Sequence, residues 1–543
     1  MKYSDRLFLS GNEAIALAAR NAGVALGTGY PGTPSTQILE EFARLGGKAQ
    51  WAPNEKAALE VAVGAAYAGA SAIVTMKHVG LNVAADPLFT VAYTGVSGAL
   101  VIVCADDPGM HSSQNEQDSR NYAVAAGVPM LEPSDSQEAY DFFAAALDLS
   151  RKWQTPVLLR VTTRICHSKT IVRPKWLFPE PITPHFERDI RGRVMIPGYA
   201  RPAHRRLRKK LADIAEWGES CDLNRREEGS RALGIIASGV TYQHAREAAP
   251  DASFLKLGLT YPLPFGLIRE FASSCDRVMV LEEGDPYLAD AIRANGLKVE
   301  AKPPQFRFGE MNVDRVRRIL VGDQSEEPPP PAGKPPELCK ACPYRPVYSV
   351  LHRLDCIVTG DIGCYTLGVM PPYEAIDTCL CMGAGITVGL GLRHVLPPDQ
   401  ARRVVSIIGD STFMHTGLTG IEEMVYNPPP TGHVVIVLDN GTTAMTGQQE
   451  HPGTGRTLSH ERAPRIVIEE VVAALGVKNV HVIDPSRDSA GFERLLTESL
   501  SKSETTVIVA RHICILAAGN ISEYEKAIAQ CEAVRSADLA EAR

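Results

Sequence analysis

Aromatic residues supply only 6% of this 543-residue chain, and no apolar run approaches the roughly 18 residues that a membrane-crossing helix needs. The start, Met1-Lys2-Tyr3-Ser4-Asp5-Arg6, leads into no apolar core of the signal-peptide kind, so a cytoplasmic protein without a membrane segment is expected. Positive charge is not in excess: the formal net charge is -7, which argues against a nucleic-acid surface. The 12 cysteines are too dilute for a disulfide scaffold, and those that carry meaning are expected to be metal ligands or buried thiols. Internal repeats are lacking as well. What remains, 45% hydrophobic residues in a chain long enough for about three or four domains, is the composition of an α/β protein with several cores.

From Asn12 to about Lys169, Gly- and Ala-rich helical stretches alternate with short β-branched runs such as Ala72-Ile73-Val74, Leu100-Val101-Ile102-Val103 and Val157-Leu158-Leu159. This rhythm predicts βαβ units and a mainly parallel sheet in a first domain, residues 1–180. Residues 181–229 break it with prolines and the basic cluster Arg205-Arg206-Leu207-Arg208-Lys209-Lys210, read as a connector carrying a solvated helix face, with a phosphate or partner contact as the alternative. A second α/β unit is expected over 230–322, with strands at Leu233-Gly234-Ile235-Ile236 and Arg277-Val278-Met279-Val280-Leu281. A charged, then Pro-rich linker, 323–337, should be extended. A third unit covers 338–520, followed by a polar, Ala-rich helical tail, 521–543.

The third unit holds the most informative residues. The run Val404-Val405-Ser406-Ile407-Ile408 stops at Gly409-Asp410-Ser411, and a second run, Val434 to Leu438, stops at Asp439-Asn440-Gly441-Thr442. A β-branched run ending in Gly-Asp puts the Asp at the carboxyl end of a buried parallel strand, where open α/β sheets bind ligands. Gly409 would let the backbone approach a phosphate. A hard cation wants a nearly octahedral set of oxygens; Asp410, the Asn440 amide oxygen and the Thr442 carbonyl can supply three, leaving room for two diphosphate oxygens and a water. The pattern is similar to the diphosphate and Mg²⁺ signature of thiamine diphosphate (ThDP) enzymes.

Two further features stay open on the residues alone. Asn54-Glu55-Lys56 precedes a small-residue helix, Ala57 to Gly69, whose Gly64, Ala65, Ala66 and Ala68 suggest a tight interface with another backbone. Glu55 reads either as a carboxyl sharing a proton with N1′ of the ThDP aminopyrimidine, or as an acid that complements the helix dipole. Cys339-Lys340-Ala341-Cys342-Pro343 reads as a zinc half-site, a redox pair or two buried thiols; no second Cys-x-x-Cys or His pair completes a zinc site.

Several strings together carry a resemblance. They are Gly11-Asn12-Glu13-Ala14-Ile15, Thr28-Gly29-Tyr30-Pro31-Gly32-Thr33-Pro34-Ser35, Asn54-Glu55-Lys56, Met76-Lys77-His78-Val79-Gly80-Leu81-Asn82, and the segment from Asp106 to Asp118. Gly360-Asp361-Ile362-Gly363-Cys364-Tyr365 and Asp377-Thr378-Cys379-Leu380-Cys381-Met382-Gly383 follow. Over roughly residues 7 to 517 the chain resembles the α-subunit family of the indolepyruvate:ferredoxin oxidoreductases, within the 2-oxoacid:ferredoxin oxidoreductase superfamily.

That resemblance implies an α/β fold of several doubly wound, mainly parallel domains: a pyrimidine-binding (Pyr) domain, a transketolase C-terminal-like domain and a diphosphate-binding (PP) domain. It implies Glu55 as the activating glutamate and Thr33 as the contact to the substrate carboxylate. The bland reading of Thr33 is a Pro-bounded turn whose hydroxyl caps the next helix. His78, His111 and Arg120 become candidates for shaping the 2-oxoacid pocket, with a structural role the alternative for each. The resemblance puts Gly363, Cys364, Met382, Gly383, Gly409, Asp410, Ser411, Asn440, Thr442, Met445 and Thr446 against the cofactor. It makes Cys339, Cys342, Cys364 and Cys514 the ligands of one 4Fe-4S cluster. Cys379 and Cys381, next to the cofactor-facing Met382-Gly383 turn, have a role at the cluster as the alternative to the preferred core packing, and Cys104, Cys166, Cys221, Cys275, Cys356 and Cys531 are expected in structural positions.

Two departures from the family's usual pattern stand out. Tyr344 follows Cys342-Pro343 where members usually have His, and no ferredoxin-like pair of Cys-x-x-Cys-x-x-Cys-x-x-x-Cys-Pro runs follows Cys514, so one cluster at most is expected. The implied activity is CoA-dependent oxidative decarboxylation of aryl 2-oxoacids such as indolepyruvate or phenylpyruvate. Its requirements are ThDP, Mg²⁺, a cluster, coenzyme A, a small γ-type subunit often called β, and ferredoxin or another carrier. An (αβ)₂ heterotetramer is expected. The alternative is non-oxidative: a ThDP-dependent decarboxylase or carboligase in which the cysteines are structural. A rival of another class, a partner subunit without catalysis, is disfavoured by Glu55, Asp410 and Asn440.

Overall fold

A computed structural model describes residues 5–175, 183–327 and 336–541. Outside these lie the ends of the expected first domain (1–4 and 176–180), the start of the expected connector (181–182), most of the expected Pro-rich linker (328–335) and the last two residues of the expected tail. The chain forms two compact units, Met1–Pro329 and Pro330–Arg543.

The first unit contains two large sheets. One has seven strands in the order Leu259–Tyr261, Met130–Leu131, Val157–Thr162, Ala99–Asp106, Ser71–Lys77, Leu26–Gly29, Ala49–Trp51. Its pairings are parallel except that of Leu259–Tyr261 with Met130–Leu131. The central strands are buried along their whole length, which is why they read as unbroken apolar runs rather than alternating ones. Ala72, Val74, Met76, Leu100, Ile102 and Cys104 pack on one side with Ala58, Leu59 and Ala62 of the helix Glu55–Tyr67. From Leu26–Gly29 the chain moves outward to Ala49–Trp51, then returns to the other side as Ser71–Lys77. The switch point of this sheet therefore lies between the carboxyl ends that feed the Thr33 turn and Lys77-His78.

The other sheet runs Glu300–Ala301, Val278–Leu281, Ser230–Ala237, Ala252–Lys256, Arg225–Glu227. Ile235, Phe254 and Met279 join one core while Ile236, Leu255, Val278 and Val280 join another, the two-residue alternation of a sheet covered on both faces. The segment expected to be a connector contributes the antiparallel edge strand Arg225–Glu227 and the long helix Pro197–Gly218, which carries the basic cluster. Leu259–Tyr261, expected in the second α/β unit, pairs with the first sheet instead.

The second unit has six parallel strands in the order Thr378–Cys379, Ile357–Gly360, Val404–Gly409, His433–Asp439, Thr505–Arg511, Asn479–Ile483. Val405, Ile407, Val434 and Ile436 face one core, and Ile408, Val435 and Val437 face the other, so this sheet too is doubly wound. After Ile357–Gly360 the chain steps to the edge strand Thr378–Cys379 and comes back on the opposite side as Val404–Gly409. Gly360-Asp361 and Gly409-Asp410 thus flank the switch point. The last helix, Ala518–Glu541, begins before the expected tail.

Candidate active site

In the first unit, Asn54 caps the helix Glu55–Tyr67 by accepting from the Ala57 amide. Glu55 therefore opens that helix, two residues earlier than its small-residue run suggests, and its side chain is buried. It lies under the helix His78–Val83: a Cβ on Gly80 would sit 2.5 Å from Glu55 Oε1. Within this chain a Cβ on Gly64 would meet nothing within 4 Å among the described residues.

The Thr33 turn follows the strand Leu26–Gly29. Ser35 Oγ donates to the Gly32 carbonyl at 2.8 Å, and the Gly32 amide donates to Thr36 Oγ1 at 3.0 Å. The helix Thr36–Arg44 has no side-chain cap, so the capping role considered for Thr33 is not the one found. Its half-buried hydroxyl has no hydrogen-bond partner among the described residues. Across the switch point stands Lys77, which the sequence reading did not single out. A Cβ on Gly32 would lie 3.1 Å from Lys77 Cβ, and Lys77 Nζ donates to the Ser112 carbonyl. Burial pulls its pKa down to about 8, against the pull of the nearby Asp107 carboxylate.

His78 is fully buried, and burial lowers its pKa to about 4, helped by the charge of Lys77. Its Nε2 lies 3.2 Å from Ser113 Oγ, which donates to Asp107 Oδ2 at 2.6 Å; His78 Nδ1 is buried without a partner. His111 is more than half exposed and lies 3.6 Å from Glu310 in a hollow of about 300 Å³ that also touches Thr163 and His167. Arg120 is placed differently from a pocket residue. Completely buried, it pairs with Glu282 at 2.6 Å and Asp118 at 2.6 Å and donates to the carbonyls of Glu283 and Asp285. Its guanidinium is committed to joining the two sheets of the first unit.

In the second unit, Asp410 follows the buried strand Val404–Gly409. Its Oδ1 accepts from the Ser411 amide at 2.8 Å and its Oδ2 from the Gly441 amide at 2.8 Å, so the two strand ends expected to form a cradle are joined at this carboxylate. Asn440 Oδ1 accepts from the Thr442 amide at 3.0 Å, which leaves the second lone pair of that oxygen for a cation. No backbone donor reaches the Thr442 carbonyl among the described residues. Ser411 Oγ and Thr443 Oγ1 are 2.7 Å apart. This donor set, one carboxylate, one amide and one carbonyl, fits a hard cation.

Gly409 requires a correction in reason. Its φ is -80°, and a Cβ there would lie 2.6 Å from the Tyr365 ring, so the glycine makes room for Tyr365. Gly363 is likewise covered by Tyr365, 2.3 Å from a Cβ. Gly383, at φ +87°, is a position where an L side chain is strained and would strike Thr416. Its amide, with those of Gly385 and Ile362, donates to Asp361, which burial nonetheless raises to about 6. Met382 is half-buried, with its carbonyl accepting from Thr416 Oγ1. Met445 is exposed, and Thr446 Oγ1 donates to Gln449 Oε1 at 2.6 Å.

Four thiols gather beside this carboxylate. Cys342 folds back on Cys339 through an amide-to-carbonyl bond of 2.9 Å, and the Cys514 amide donates to the Asn440 carbonyl at 3.0 Å. Burial pushes Cys364 up to about 12, and the charges of Cys342, Cys514, Cys339 and Asp410 push in the same direction. Among the described residues no three His, Cys, Asp or Glu side chains converge on a single-ion site. A cubane asks for something else, four thiolates each bound to its own iron. Tyr344 is buried, its hydroxyl 3.5 Å from the His512 carbonyl and its pKa raised by burial and by Asp410, Asp439, Cys342 and Cys364. Cys379 and Cys381 are exposed on the edge strand and the turn after it, not packed in a core, because their strand pairs on one side only. Cys531 is exposed on the last helix, whereas Cys104, Cys166 and Cys221 are buried.

Comparison with known proteins bears on the whole chain. It is 38% identical to indolepyruvate oxidoreductase subunit IorA of Methanothermobacter marburgensis over 95% of its own length and 88% of the relative's. The subunit of the same description from Archaeoglobus fulgidus is also 38% identical, over 94% and 87%. The chain belongs to the indolepyruvate oxidoreductase subunit IorA family. Residues 17–177 match the family described as pyruvate flavodoxin/ferredoxin oxidoreductase, thiamine diP-bdg, and residues 361–510 match the C-terminal TPP-binding domain of thiamine pyrophosphate enzymes. A 2-oxoglutarate:ferredoxin oxidoreductase from Magnetococcus marinus, solved with 2-oxoglutarate, coenzyme A and succinyl-CoA bound, shares the fold. Its TM-score is 0.51 at 19% identity, covering 60% of this chain and 66% of that one.

The sequence reading missed Lys77, Asp107 and Ser113 in the first unit and Asp361 and His451 in the second. His451 is buried, with Nε2 3.2 Å from Asp410 Oδ2. The only signal for it in the sequence is the string His451-Pro452-Gly453 shortly after the second strand end.

Proposed function

We propose that this chain is the ThDP-binding subunit of an oxidoreductase that converts aryl 2-oxoacids of the indolepyruvate or phenylpyruvate type to acyl-CoA and CO₂. Electrons pass through one 4Fe-4S cluster to ferredoxin or another carrier. The enzyme is cytoplasmic and works with a small γ-type subunit as an (αβ)₂ heterotetramer.

The observation that carries this reading is the adjacency of Asp410, Asn440 and the four thiols, fastened by the bond from the Cys514 amide to the Asn440 carbonyl. On this reading a seat for a diphosphate-bound cation would adjoin a seat for an electron acceptor. Asp410, Asn440 and the Thr442 carbonyl would hold Mg²⁺. Ser411, Gly383, Met382, Met445 and Thr446 would contact the cofactor, and Cys339, Cys342, Cys364 and Cys514 would hold the cluster. When bound, ThDP supplies the carbanion chemistry of decarboxylation, and the cluster accepts electrons one at a time. Glu55, buried under Gly80, would hold and return a proton at the aminopyrimidine N1′.

Thr33 offers its unpartnered hydroxyl to the substrate carboxylate at a sheet switch point, where Lys77 adds positive charge to the same edge. His78 and His111 remain the pocket-shaping candidates, whereas Arg120 serves the protein interior. The test is iron. Anaerobically purified protein should be coloured and contain about four irons per chain, whereas a colourless, iron-free preparation that still decarboxylates would favour the non-oxidative alternative.

A further inference from the structure

Two donors converge on one oxygen of Asp410. The Gly441 amide reaches Oδ2 at 2.8 Å, and His451 Nε2 lies 3.2 Å from the same atom. The far side of the imidazole fixes the direction of the second contact, because the Gly453 amide donates to His451 Nδ1 at 3.1 Å. A backbone amide can only donate, so Nδ1 carries a lone pair, and the ring proton sits on Nε2 and points at Asp410. Gly453 makes this approach feasible: a Cβ there would lie 2.9 Å from His451 Cε1 and 3.2 Å from Nδ1.

Each carboxylate oxygen has about two lone-pair sites. Oδ2 is filled by the Gly441 and His451 donors. Among the described residues Oδ1 accepts only from the Ser411 amide, which leaves one site for a cation. Both side chains are buried, so water does not compete for these positions as it would at the surface.

We propose that His451 makes Asp410 a monodentate ligand through Oδ1 and thereby selects Mg²⁺ over Ca²⁺ at the diphosphate site. This inference rests on the reading above, in which Asp410 holds the cation. Ca²⁺ takes six to eight oxygens and readily binds a carboxylate through both, whereas Mg²⁺ requires a small octahedral set. With Oδ2 occupied by two N–H groups, the bidentate mode is closed and the larger ion loses a ligand. His451 is a positioning residue: it touches the carboxylate, not the metal, and acts by deciding which oxygen is free.

The full chain, stripped of metal and supplied with ThDP, is titrated with Mn²⁺ by electron paramagnetic resonance, with Mg²⁺ and Ca²⁺ as competitors. In His451→Leu the affinity for Ca²⁺ relative to Mg²⁺ should rise by about tenfold. His451→Gln, whose amide can donate to the same oxygen, should stay close to wild type. Gly453→Ala, which displaces the ring without removing it, should shift the ratio in the same direction as His451→Leu and provides the result if the leucine variant does not fold. An unchanged ratio in both shifted variants, with Mn²⁺ binding abolished by Asp410→Asn, overturns the selector role and leaves the metal site standing. Mn²⁺ binding that Asp410→Asn does not weaken overturns the metal site itself, and the selector role with it.

Discussion

Gly80 roofs the carboxyl of Glu55: a methyl group in place of its hydrogen would sit 2.5 Å from Oε1 and 2.6 Å from Cγ. Glu55 is buried and belongs to a different helix, so it can yield only by leaving its position. Gly80→Ala should therefore lower turnover without touching substrate, cofactor or metal ligands. Glu55→Gln, which removes the proton-holding group outright, should cost about 10²- to 10⁴-fold in kcat. Steady-state assay of both variants checks this, and Gly80→Ala should fall between wild type and Glu55→Gln.

Cys364→Ser should abolish the visible absorption and the iron while leaving ThDP binding within reach of wild type, because the thiol is a neighbour of Asp410 rather than part of the cation's oxygen set. Iron analysis beside calorimetric ThDP titration separates the two. Cys379→Ser, on the edge strand, and Cys381→Ser, on the turn after it, should retain iron, since both thiols are exposed.

Stability should fall on mild acidification through His78. Its pKa in the folded protein is lowered to about 4, below the 6.5 of an ordinary histidine. As pH drops from 6.5 towards 4, the unfolded chain takes up a proton that the folded chain refuses. The contribution is present above about 6.5 and is lost progressively below it, amounting to about 3 kcal/mol across the window. Denaturant midpoints at pH 7 and pH 5 should show the loss in wild type and a smaller loss in His78→Asn, which has no proton to take up.

Arg120→Met should destabilise the first unit by about 3 kcal/mol or more, since it strands the buried Glu282 carboxylate that pairs with Arg120 at 2.6 Å. Where the variant folds, KM for the 2-oxoacid should be unchanged. Thermal denaturation with KM measurement tests both halves. A raised KM at unchanged stability would return Arg120 to the substrate pocket.

The strand ends were the legible part of this molecule. Val404–Gly409 and His433–Asp439 are buried on both faces, so their sequences are continuous β-branched runs whose final Asp and Asn mark the ligand edge. What could not be read depends on contacts distant in sequence. Arg120 looks like any anion-binding arginine until Glu282, from a strand end of another sheet, meets it. Gly409 looks like a phosphate glycine until the Tyr365 ring occupies the space. Cys379 and Cys381 look like core thiols, but Cys379 lies on an edge strand with one neighbour and Cys381 on the exposed turn after it. His451 is a lone histidine in a loop, and only the folded chain brings it to Asp410. The thiols of Cys339, Cys342, Cys364 and Cys514 span a long interval, and a resemblance to a family grouped them before geometry could.

The most direct test is a product balance on the anaerobically purified chain with its γ-type partner subunit, given indolepyruvate, coenzyme A and an artificial electron acceptor. The account predicts one indoleacetyl-CoA and two electrons delivered to the acceptor for each CO₂ released, with turnover dependent on all three. Release of CO₂ with indoleacetaldehyde as the product and no reduction of the acceptor would contradict it.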